Sequence, residues 1–110
     1  MKTFIDTMDE RTDNMYNTLI NLEKNMRRLA NESKYLDSQI ARIFDKRLAA
    51  YNFGRTIPAD EMHLDCAIIE AANNCIARNE YRLRNQRELH ARLLRMFNNM
   101  LKVRFEAILK

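Results

Sequence analysis

A single Gly, Gly54, and a single Pro, Pro58, interrupt this chain of 110 residues, and they stand four positions apart near its middle. Gly supplies positive φ, and Pro fixes φ and removes a donor, so together they punctuate folds. An all-β domain needs a turn every ~8–12 residues, and a βαβ fold needs nearly as many. One Gly and one Pro build neither. Glycine-rich phosphate loops and dinucleotide-binding turns are excluded for the same reason. The chain therefore reads as all-α, with few helices and one turn.

The segment before the break carries a sustained heptad. Positions alternately three and four apart read Ile5, Met8, Thr12, Met15, Leu19, Leu22, Met26, Leu29, Ser33, Leu36, Ile40, Ile43, Arg47 and Ala50, and eleven of these fourteen are apolar. A 3.5-residue repeat held this long keeps one seam facing a partner, which is coiled-coil geometry. Asn31 and Ser33 have capping side chains, and a break there gives three or four shorter helices. Without Gly or Pro at that point, one helix over 4–51 is the reading adopted. A turn over 52–57 follows, with Gly54 in the left-handed position and Pro58 opening a second helix over 58–109. Asp60 and Glu61 suit its positive N-terminal end. Phe53 and Ile57 are expected to close the tip by apolar contact.

The second segment has a weaker seam. Met62, Cys66, Ile69, Asn73, Ile76, Glu80, Leu83, Arg87, His90, Leu94, Phe97, Leu101, Arg104 and Ile108 make fourteen positions, nine of them apolar. Two helices on a short loop run antiparallel, and paired residue numbers then sum to about 110. That register sets Asn31-Glu32-Ser33 against Ile76–Glu80, polar against polar. The expected fold is an antiparallel helical hairpin in one domain, 1–110.

A second apolar stripe, Leu89, Leu93, Met96, Met100, Val103 and Ala107, lies ~100° from the main seam of helix two. Phe4, Tyr16 and Ile20 widen the matching end of helix one. A lone hairpin needs one stripe per helix, so the surplus implies further helices. A second copy forming a homodimeric four-helix bundle is the simplest supply, and a different protein is the other. Met8, Met15, Tyr16, Ile20, Leu89, Leu93, Met96 and Met100 are the candidate partner-binding residues, since Met suits adaptable surfaces.

The net charge of +4 is uneven: residues 1–50 carry +1, residues 51–77 carry −3, and residues 78–110 carry +6. Arg78, Tyr81, Arg84, Arg92, Arg95 and Lys102 form a basic face with one aromatic. Such a face follows phosphates or meets an acidic protein, with nucleic-acid affinity falling steeply as salt rises. A solvated helix face is the plain alternative.

Catalytic signals are lacking. No Glu-x-x-His pair, no nucleophile triad and no second pair of metal ligands beside His63 and Cys66 is found. No enzyme activity, cofactor or metal is expected. Cys66 and Cys75 lie nine residues apart, on opposite faces of a helix, and read as small buried residues in a reducing compartment. The segment 1–10 meets acids before any apolar run, so it does not read as a signal peptide. No run of 18 apolar residues is present, so no membrane contact is expected and a cytoplasmic setting is the default. The reading is a non-enzymatic coiled-coil interaction protein, with nucleic-acid binding as the alternative.

Overall fold

The computed structural model describes residues 3–109, without the side chains of Phe4 and Ile5. The side-chain expectations placed on Phe4 and Ile5 lie outside the described residues. Two helices account for the chain: α1, Phe4–Asn52, and α2, Ala59–Leu109. The helix α1 runs through Asn31–Ser33 without a break.

Both ends of the turn have local causes. Gly54 has φ +64°. Its N–H donates to Tyr51 O at 3.1 Å, while Arg55 N–H donates to Ala50 O at 2.8 Å. These two bonds form a Schellman motif, which satisfies the last carbonyls of α1. Pro58 O accepts from Met62 N–H at 3.0 Å, so the proline sits just ahead of α2 rather than inside it. Phe53 corrects an expectation: it is 78% exposed and does not close the tip. Its ring instead lies under the Arg55 guanidinium, 6.0 Å from the centroid. At the start of α1, Thr3 Oγ1 accepts from Asp6 N–H at 3.1 Å and Asp6 Oδ2 accepts from Thr3 N–H at 3.3 Å. This reciprocal cap rests on a Thr-x-x-Asp signal in the sequence.

The chain divides into two compact units. The turn unit is Arg28–Arg82; the end unit joins Met1–Arg27 to Leu83–Lys110. In each, a segment of α1 packs antiparallel on a segment of α2. In the turn unit Lys46 pairs with Asp65 and Glu32 with Asn79. In the end unit Glu23 pairs with His90 and Asp9 with Arg104. The numbers of these pairs sum to about 110, which is the expected antiparallel register.

Every described position of the α1 seam, from Met8 to Ala50, is buried or half-buried. On α2 the seam is only half as expected. Ile69, Ile76, Leu83, His90, Phe97 and Arg104 face inward, but the alternate set is shifted by one residue. Asp65, Ala72, Asn79, Gln86, Leu93, Met100 and Ala107 face in, whereas Cys66, Asn73, Glu80, Arg87, Leu94, Leu101 and Ile108 face out. Met62 is also exposed, at 43%. The shift has a physical cause. It leaves Glu80 and Arg87 in water and brings in Asp65 and Asn79, which find partners across the seam.

Those partners explain the polar interruptions. Asn79, 2% exposed, donates through Nδ2 to Glu32 Oε1 at 3.3 Å and to Ser33 Oγ at 3.2 Å. Buried Asp65 takes Lys46 Nζ at 2.9 Å, and Arg47 Nη2 donates to Met62 O at 3.4 Å. Thr12 is buried and returns its hydroxyl to Met8 O at 2.7 Å within its own helix. The apolar core is thin: among the described residues Leu19, Leu29, Ala72 and Leu83 are its buried members.

Candidate docking groove and basic face

The end unit holds an open groove of about 770 Å³ between its segments of α1 and α2. Its walls come from Met8, Arg11, Asn14, Met15 and Thr18 on one side, and Leu93, Met96, Asn99, Met100 and Val103 on the other. Heptad spacing positions them. Met8, Met15, Leu93 and Met100 are the rim of the seam, half-buried, while Met96 and Val103 sit seven residues apart on its flank, exposed. A 3.5-residue repeat stacks residues seven apart on one line, so the flank runs as a strip beside the seam.

Five of the eight candidate partner-binding residues, Met8, Met15, Leu93, Met96 and Met100, line this groove together. The other three do not. Tyr16 rests on Phe97 with ring centroids 6.1 Å apart and planes tilted by 38°. Ile20 is half-buried and Leu89 exposed, both outside the groove wall. Sequence reading missed Arg11, Asn14, Thr18 and Asn99. The seven-residue step from Arg11 to Thr18 and the three-residue step from Met96 to Asn99 were the available signals. A second apolar flank of α2, around Leu101, Phe105 and Ile108, borders a space of about 600 Å³.

Arg78, Tyr81, Arg84, Arg92, Arg95 and Lys102 are all exposed. Arg78 and Tyr81 belong to the turn unit, and the other four to the end unit. By unit, the end unit carries eleven Lys and Arg against seven Asp and Glu, and the turn unit eight against eight. The whole net charge of +4 therefore resides where the groove is.

The turn unit holds the cysteine chemistry. Cys75 Sγ donates to Glu32 Oε1 at 3.2 Å. This bond, with the Asn79 amide and the charges of Arg28 and Arg82 against a smaller opposing effect of burial, holds the Glu32 carboxyl below its ordinary range. The same contact and burial push the Cys75 thiol up. Hydrogen bonds from Lys46 to Asp65 and Glu61 raise the Lys46 ammonium. Burial was expected of both cysteines; Cys75 is half-buried but Cys66 is exposed, because the seam rolled past it. His63 is exposed as well. Among the described residues no cluster of three or more His, Cys, Asp or Glu is placed to hold a metal, and no helix is long and apolar enough to cross a membrane. Compared with family models, curated proteins and solved structures, the chain matches none.

Proposed function

We propose that this protein is a non-enzymatic, coiled-coil interaction protein whose end unit takes an α-helix of a protein partner into the Met-rich groove. The observation that carries this reading is the groove itself, with Met8 and Met15 on its α1 wall and Leu93, Met96, Met100 and Val103 on its α2 wall. Helix-in-groove recognition uses such a surface, with the guest anchoring at i, i+3, i+4 and i+7. Methionine walls adjust to a guest because the side chain is unbranched and polarisable.

The test uses the tagged full chain in cells that express it naturally. A protein complex that survives about 500 mM salt is expected, since apolar burial is not screened as ion pairs are. Met96→Asp should abolish it with the helical circular dichroism unchanged, because Met96 is 52% exposed and not needed for the seam. Leu93→Asp is the poorer probe, since Leu93 packs in the seam. The second reading, nucleic-acid binding, is favoured by the exposed Arg84, Arg92 and Arg95. It takes over if the chain is retained on DNA or RNA, if retention collapses between about 50 and 200 mM salt, and if Arg84→Glu and Arg92→Glu weaken it while Met96→Asp does not.

A further inference from the structure

Resting on the docking reading above, we infer that the groove's occupant is an amphipathic helix with acidic residues along one edge, rather than a second copy of this chain. Charge complementarity along the lip of the groove selects this occupant. On α2 the wall runs from Leu93 to Val103. At about 100° per residue, Arg92 lies ~40° outward of Met96 and Arg95 ~100° outward. Both are exposed. Over the length of this wall the outward-facing sector of α2 carries Arg92, Arg95, Asn99 and Lys102. Glu88 and Glu106, the acids of that sector, fall beyond its two ends. On α1 the wall itself contributes Arg11, with Thr18 and Asn14 outward of it, and Glu10 lies a further ~40° round the helix from Asn14. Three guanidinium groups thus border an apolar trough, with one carboxylate opposite.

A guest helix seated in the trough places its flanking side chains against this lip. Glutamates there meet guanidinium groups, and lysines meet like charge. A second copy brings another end unit of net charge +4, so self-docking through this face works against its own field. Apolar burial then supplies the salt-tolerant part of the affinity, and the lip supplies the choice of partner.

The probe is a pair of synthetic helical peptides of about 20 residues. Each has leucines at i, i+3, i+4 and i+7, and the leucine stripe is flanked by glutamates in one and lysines in the other. The readout is the methionine methyl resonances of the full chain. The Glu-flanked peptide should shift Met8, Met15, Met96 and Met100 and leave Met62 in place. It should bind about fivefold or more tighter than its Lys-flanked twin at low salt, and the gap should close as salt screens the lip. Arg92→Glu with Arg95→Glu should invert the preference. If both peptides shift the groove methionines with equal affinity, the acidic edge is wrong and the docking reading survives. If neither shifts them, both fail. If the groove methionines shift with protein concentration alone, and light scattering gives twice 13.2 kDa, the occupant is a second copy. If a single-stranded oligonucleotide binds at the lip and neither peptide binds the groove, the nucleic-acid reading replaces both.

Discussion

Both units bond polar groups across the seam and leave apolar side chains exposed; they differ in which polar groups are buried, in where a groove opens and in charge. Asn79, Glu32, Ser33, Asp65 and Lys46 make cross-helix bonds in the turn unit, and net charge is balanced there. The end unit bonds Glu23 to His90 and Asp9 to Arg104 across the seam, and Thr12, its one buried polar residue among the described residues, is bonded within its own helix. It leaves Met96, Val103, Leu101, Phe105 and Ile108 exposed on α2. Directional bonds across a seam fix register and alignment, whereas in the proposed function the open groove of the end unit receives another molecule.

Core substitutions give the largest effects and apply to both units. Leu29→Ala in the turn unit and Leu19→Ala in the end unit should each cost about 2–5 kcal/mol in urea unfolding, because both side chains are buried in a core with few other members. A near-neutral Leu19→Ala would mean that the end unit is not packed as described. The polar seam separates the units next. Asn79→Ala strips Glu32 and Ser33 of a buried donor and should cost about 1–3 kcal/mol. Thr12→Val loses only a bond to its own helix and should change stability by less than about 1 kcal/mol. Equal costs would erase the distinction.

At the turn, Gly54→Ala meets no atom within 4 Å but keeps a positive φ, and should cost about 1–2 kcal/mol. The smallest effects are the pH responses of the Glu32–Cys75 contact. Glu32 is depressed in the folded state, so its contribution is present above the ordinary carboxylate range and is lost as pH falls through the folded value. Cys75 is raised, so its contribution holds below the ordinary thiol range and fades as pH rises through the folded value. The stability gap between wild type and Glu32→Gln should therefore narrow in acid. Iodoacetamide at pH 8 should modify Cys75 more slowly in the native chain than in urea.

The described seam of α1, from Met8 to Ala50, was legible in the sequence because no second heptad stripe competes with it. Helix α2 was half legible because it has such a rival. Cys66, Leu94, Leu101 and Ile108 give the expected alternate set four apolar members, and Ala72, Leu93, Met100 and Ala107 give the observed set the same number. Hydrophobicity ties, and cross-seam chemistry decides. Asn79 meets Glu32 and Ser33, and Asp65 meets Lys46, while Glu80 and Arg87 go to water. Pairing of polar residues 19 to 47 positions apart in sequence is invisible to a periodicity count. The same half-step of rotation carried Leu93 and Met100 into the seam. It also left Met96 and Val103 as the flank, so the groove's methionines were legible and its polar wall was not. The Thr3 cap needed only the Thr-x-x-Asp spacing.

In the proposed function the end unit, and not the turn unit, is the docking surface. Met96 and Met62 are both exposed, at 52% and 43%, one in each unit. Binding of the Glu-flanked helical peptide to Met96→Asp and to Met62→Asp, measured side by side, separates them. The account predicts that Met96→Asp weakens binding by about tenfold or more, equivalent to about 1.4 kcal/mol, while Met62→Asp binds as wild type does. Loss of binding in Met62→Asp, or full binding by Met96→Asp, contradicts it.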